Sequence, residues 1–134
     1  MLMKNYARVD LSFVKGKGSW LKDSCGKKYI DFASGIGVCS LGHAHKGLAK
    51  VISKQAKTLI HTSNIYRIEP QERLAHKMSR LLGGDYSLFF GNSGAEANEC
   101  AIKLARKWGY KHGKSGIISL ANSFHGRTIA TLKL

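Results

Sequence analysis

The sequence predicts an α/β fold, and three observations carry that reading. Leu88 to Phe90 is a short apolar run, as a buried strand would be, followed by the small-residue turn Gly91-Asn92-Ser93-Gly94 and then a helical repeat reaching about His112. A second apolar run, Ile117 to Leu120, follows that helix and leads into another polar loop, so strand, helix and strand alternate. Glycine-punctuated short segments near the start read as a small antiparallel sheet.

In chain order, residues 1–10 are a polar lead-in. Leu11 to Val14 is the first candidate strand, broken at Gly16 and Gly18; Trp20-Leu21 begins the next. Asp23-Ser24-Cys25-Gly26 is a turn, and Lys28 to Phe32 alternates as a third strand would. Ala33 to His45 is glycine-rich, apolar and without period, which suits a buried loop or one facing a ligand or partner. Gly47 to about Ile60 is an amphipathic helix, with Leu48, Val51, Ile52, Ala56 and Leu59 on its apolar side. A loop through Tyr66 leads to Glu69-Pro70, where proline suits the first turn of a helix whose apolar side is Leu74, Ala75, Met78, Leu81 and Leu82. Gly83-Gly84 stops it.

The central helix places Ala97, Ala101, Leu104, Ala105 and Trp108 on one face. Ser93 is its N-cap, and Glu96 completes a capping box. A first helical turn has unpaired N–H donors and partial positive charge, and glycines let an anion approach it closely. The residues alone leave two readings open, a plain capped turn and a phosphate site. No lysine follows the turn as in a nucleotide-triphosphate loop, and the dinucleotide glycine pattern is absent.

Composition bounds the function. The 134 residues suffice for one modest domain, and 43% hydrophobic residues mark a globular chain. The net charge of +14 raises nucleic-acid binding as a rival, but the basic residues are scattered and no zinc-finger or aromatic-basic motif accompanies them. The reading is therefore no nucleic acid. Cys25, Cys39 and Cys100 lack Cys-x-x-Cys spacing and read as reduced thiols. His43 and His45 have no third ligand at supporting spacing, so no metal is assigned. With no run of transmembrane length and no leader pattern, the expectation is a cytoplasmic protein with no membrane contact.

Asn92-Ser93-Gly94-Ala95-Glu96-Ala97-Asn98-Glu99, then Ala101-Ile102-Lys103-Leu104-Ala105-Arg106, resembles the phosphate-binding segment of class III pyridoxal-phosphate aminotransferases, in particular their acetylornithine branch. Asn122-Ser123-Phe124-His125-Gly126-Arg127-Thr128 is similar to the family's second cofactor segment. The Gly42-His43-Ala44-His45 and Ser63-Asn64-Ile65-Tyr66 stretches are similar to family motifs too, with Lys46 where a proline is usual and Arg67 where an aromatic often stands.

The resemblance implies the N-terminal part of the fold type I architecture, with 1–45 as part of the small domain and an active-site loop, and 46–134 as the incomplete start of a large mixed-sheet domain. It implies pyridoxal 5'-phosphate, with Ser93, Gly94 and Ala95 at the phosphate, Phe124 stacked on the ring and His125 orienting the loop. It places Gly35, Ile36 and Tyr66 on the substrate side, where Arg67 either alters the substrate end or points to solvent, the second being the favoured reading. The implied reaction moves an amino group from the donor N-acetylornithine to 2-oxoglutarate in arginine biosynthesis, in a homodimer. Ornithine, succinylornithine and 4-aminobutyrate are alternative donors, and an inactive truncated fragment is the alternative state. The family's Schiff-base lysine would lie beyond residue 134, so no residue here is assigned catalysis, and residues 1–134 alone are expected to be inactive. The strands near Phe89 and Ile118 would not be sheet neighbours, and the chain by itself would expose apolar surface.

Overall fold

The computed structural model describes residues 2–134, which divide into two compact units, 2–63 and 64–134. In the first, β1 (Phe13–Lys17), β2 (Trp20–Asp23) and β3 (Lys28–Ile30) form an antiparallel sheet in the order β1-β2-β3, followed by helix α1 (Lys46–Thr58). The second holds α2 (Glu69–Leu81), α3 (Gly94–Lys111) and a 3-10 turn at Thr131–Lys133.

Register decides what each sheet face carries. Lys15 pairs with Lys22, which pairs with Lys28, so one face presents a row of lysines to solvent. Gly16, Leu21 and Tyr29 pair across the other face, which is the more buried one. The sequence expectation of a break at Gly16 fails: β1 runs through it to Lys17. The physical reason is a close approach. A Cβ on Gly16 would lie 2.6 Å from Cγ of His43, so the missing side chain makes room for the imidazole while the ladder continues. Gly18 and His43 exchange backbone hydrogen bonds of 2.9 and 2.8 Å, which fixes the far end of the glycine-rich loop to the β1–β2 turn.

Two aspartates anchor this unit. Asp23 accepts from the Tyr29 hydroxyl at 2.9 Å and from the Cys25 and Lys27 amides at 2.9 and 2.8 Å. Burial acts to raise its pKa, but these donors together outweigh it and hold the carboxyl below its usual value. Asp31 pairs with Nε2 of His43 at 2.7 Å and accepts from the Ala33 and Ser34 amides. The His43 hydrogen bond, then the Ser34 amide, depress its pKa. A carboxyl depressed in the folded state adds stability above its unfolded value of about 4, and that contribution is lost as pH falls through the lower folded value. Asp31→Asn is therefore expected to lower stability at neutral pH and to flatten the acid limb of the unfolding curve. Acid titration followed by circular dichroism checks this; an unchanged acid limb would contradict it.

The helices start and stop largely where the residues direct. His45 caps α1 by accepting from the Leu48 amide at 3.1 Å, and Lys46 takes the first helical position. Pro70 lies in the first turn of α2, and Gly83, at φ 74°, ends it. Ser79 secures that stop by donating to the Gly84 carbonyl at 2.6 Å and accepting from the Tyr86 amide at 3.0 Å.

Two expectations are corrected. The segments 88–90 and 117–120 are not strands, because neither has a ladder partner among the described residues. A strand exists by pairing, and these two runs do not pair with each other. The inward face of α3 is also rotated from the expected one. Leu104 and Trp108 are exposed, whereas Ile102 and Gly109 are buried and Ala95, Asn98 and Glu99 half-buried. Packing of the 123–131 segment on that side decides the face, and Gly109 lies so close to the Lys114 carbonyl that a Cβ would meet it at 2.5 Å. Ile102 is the one buried hydrophobic residue among those described, and the apolar sides of α1 and α2 are also open. No helix is long and apolar enough to cross a membrane among the described residues.

Candidate functional site

The site is built on the first turn of α3. Ser93 is extended, at φ −154° and ψ 162°, and its hydroxyl accepts from the Glu96 amide at 3.2 Å. The expected capping box is shifted by one residue: the Glu96 carboxylate reaches back to the Asn92 amide rather than to that of Ser93. This arrangement satisfies donors on either side and leaves the Gly94 and Ala95 amides without an acceptor among the described residues. A Cβ on Gly94 would meet nothing within 4 Å, so the turn is open where those amides lie. Open space, free N–H groups and the positive end of an 18-residue helix together favour an anion.

The second half of the site is the 122–131 segment, which is laid against that same turn. Asn122 is left-handed, at φ 58°, and Gly126 has φ 137°. A Cβ on Gly126 would lie 2.8 Å from Cβ of Ala95 and 2.7 Å from Oγ1 of Thr131, so only glycine permits the contact. Asn98 donates from its amide nitrogen to the His125 carbonyl at 2.6 Å. One turn of helix is thereby tied to a loop 27 residues away in sequence. The Thr128 hydroxyl donates to the Glu99 carboxylate, and Thr131, 3% exposed, closes the turn through its own hydroxyl.

These ties leave Phe124 with its ring 77% exposed and the Arg127 guanidinium 5.8 Å from the ring centroid. Nε2 of His125 is buried and has no hydrogen-bond partner among the described residues. A flat apolar face and an unused buried nitrogen next to an anion-seeking turn suit a ligand with an aromatic ring and a negatively charged group.

Ser93, Gly94, Ala95, Phe124 and His125 thus fall within one unit and on segments that touch. Gly35 and Ile36 belong to the other unit, in a turn where Ser34, Gly35, Ile36 and Gly37 are all left-handed at φ 50°, 61°, 60° and 83°. For a β-branched residue such as Ile36 this is a strained conformation, and strain of that kind concentrates at working loops. Of the two expectations for this apolar loop, burial or a ligand or partner facing it, burial is not seen among the described residues, since Ile36 is 96% and Val38 82% exposed. Tyr66 is exposed ahead of α2, and Arg67 points outward, its guanidinium held by both oxygens of Glu72 at 2.8 and 2.9 Å. The two histidines that raised a metal have other duties, His43 with Asp31 and His45 as a helix cap.

The motif residues Asn98, Glu99 and Gly126 carried no role of their own in the sequence. Asn98 and Glu99 lie three and four positions after Ala95, the spacing that puts them on its side of the helix, which was the available signal.

Comparison with known proteins establishes the family. The aminotransferase class-III family profile matches residues 2–134. The acetylornithine aminotransferase of Wolinella succinogenes is 57% identical over 136 aligned residues, covering 98% of this chain and 35% of that protein. The chain therefore spans about a third of the length of such relatives. Among solved structures, the N-acetylornithine aminotransferase of Stenotrophomonas maltophilia superposes with TM-score 0.79 at 38% identity, over 90% of this chain and 34% of that one. An ornithine aminotransferase from Toxoplasma gondii, with partial occupancy of PLP at its active site, superposes with TM-score 0.82 at 34% identity, over 94% and 30%. The three-stranded sheet and the helices are the N-terminal part of the fold type I architecture. By its sequence across residues 2–134 and by its fold, this chain belongs to the class-III aminotransferase family.

Proposed function

We propose that the α3 turn and the 122–131 segment bind pyridoxal 5'-phosphate, and that the whole protein transfers an amino group from N-acetylornithine to 2-oxoglutarate. The observation that carries this is the contact of Gly126 with Ala95, which lays the exposed Phe124 loop on a helix turn whose Gly94 and Ala95 amides lack acceptors. The residues present fit the group. Its phosphate suits the open turn at Gly94, its flat pyridine ring suits the Phe124 face, and the unpartnered Nε2 of His125 is a polar atom such a ligand would satisfy.

When bound, pyridoxal phosphate supplies an aldehyde that takes up amines and a ring that accepts electrons. The chain's own residues do the holding. Gly94 and Ala95 bind the anion through backbone N–H groups, Ser93 keeps the turn in shape, and Phe124 covers one ring face. Gly35, Ile36 and Tyr66 are assigned to the substrate end on the family pattern alone. No lysine of this chain stands in a Schiff-base context, so residues 1–134 by themselves are proposed to bind without transferring. The division 1–45 and 46–134, the homodimer, the cytoplasmic setting and the place in arginine biosynthesis belong to the same reading. It rests on family membership and on the names of relatives such as the Wolinella succinogenes protein.

The test is an amino-transfer assay on the protein as its source makes it, with N-acetylornithine, ornithine, succinylornithine and 4-aminobutyrate as competing donors. N-acetylornithine should have the highest kcat/KM. Phe124→Ala should weaken pyridoxal phosphate binding about tenfold, the scale of one aromatic stack. It should leave inorganic phosphate affinity unchanged. Equal loss for both ligands would remove Phe124 from the ring site.

A further inference from the structure

We infer that Glu99 and Asn98 are positioning residues for the cofactor-ring loop, acting by tying Thr128 and His125 to the first turns of α3. This rests on the reading of the turn as a pyridoxal phosphate site and adds to it how the ring contact is kept in register with the phosphate contact.

The geometry is specific. Asn98 lies one turn beyond Ala95, and its side-chain amide donates to the His125 carbonyl at 2.6 Å. Glu99, the next residue, accepts the Thr128 hydroxyl proton. Thr128 has a single proton to give, so its 2.8 Å contact with the Thr131 hydroxyl is donated by Thr131. The Thr128 amide in turn donates to Oγ1 of Thr131 at 3.0 Å. The loop is therefore held on both sides of Gly126, at residues 125 and 128, and both holds come from adjacent positions on one helix.

Phe124 is next to the first hold, and the free amides of Gly94 and Ala95 sit a turn before Asn98. Helix α3 thus sets the distance between an anion contact and a ring contact through side chains that touch neither ligand group. Both ties are half-buried, where a hydrogen bond to a carboxylate is stronger than one in water. Without them the segment loses its two side-chain holds on α3, and the ring is no longer fixed relative to the turn.

The experiment pairs disruptive with conservative variants: Glu99→Ala and Thr128→Val against Glu99→Gln and Thr128→Ser. Glutamine keeps an acceptor oxygen, and serine keeps the hydroxyl. Glu99→Ala and Thr128→Val should each raise the dissociation constant for pyridoxal phosphate about tenfold. Inorganic phosphate affinity should stay level, because the Gly94 and Ala95 amides are untouched. Amide hydrogen exchange at Gly126 and Thr128 should accelerate in those two variants, and Glu99→Gln and Thr128→Ser should restore both readouts. The inference is overturned if Glu99→Ala and Thr128→Val leave exchange and binding unchanged, or if Glu99→Gln falls as far as Glu99→Ala. A wild-type protein that binds no pyridoxal phosphate, yet shows faster exchange in Glu99→Ala, would remove the cofactor reading and uphold the ties.

Discussion

Gly126→Ala is expected to weaken pyridoxal phosphate binding about a hundredfold, the loss that about 2.7 kcal/mol of strain in the loop contact would bring. Two costs act together. The backbone at φ 137° is a region that a residue with a Cβ rarely occupies, and the new methyl would press on Ala95 and Thr131 at 2.8 and 2.7 Å. Strain and overpacking of this kind cost about 1–3 kcal/mol each. The neighbour on one side is the helix turn itself, so the loop has to lift from the anion site. Titration by cofactor fluorescence, alongside a urea denaturation curve, checks both effects. Wild-type affinity in the variant would show that the loop contact does not serve binding.

Gly16→Ala should unseat the other unit. Its Cβ would lie 2.6 and 2.7 Å from Cγ and Cβ of His43, a residue whose ring is pinned to Asp31 and whose backbone is pinned to Gly18. The far end of a flexible chain could step aside, but a side-chain base between two anchors has little freedom. A destabilisation of about 1–3 kcal/mol is expected, with faster amide exchange at His43 and through the left-handed turn at Ser34 to Gly37. Denaturation and exchange measurements decide it. Unchanged exchange at His43 would contradict the packing described for Gly16.

Local chemistry was legible where it is settled within a few residues. Ser93 as a cap, Pro70 in a first turn and Gly83 as a stop follow from backbone donors, fixed φ and the absence of a Cβ. What the sequence could not show is set by partners far along the chain. Gly16 reads as a break because its reason, the His43 ring, is 27 positions away by numbering. The face of α3 was misassigned because hydrophobic spacing favoured Leu104 and Trp108, while the 123–131 segment engages Asn98 and Glu99 instead. The runs at 88–90 and 117–120 have strand composition, yet composition supplies no ladder partner. For the site, the octet around Ser93 and the segment around Phe124 were both visible as resemblances. The ties between them were not, since a hydrogen bond across 27 residues leaves no mark in local pattern.

The most direct test is an amide chemical-shift map of the α3 turn as pyridoxal phosphate is added to the folded protein. The Gly94 and Ala95 amides should shift most and saturate together, with ring-current shifts on Phe124, and inorganic phosphate should reproduce only the first two. Saturable binding that moves neither amide, or no binding at all, would contradict the assignment of this turn and loop as a cofactor site.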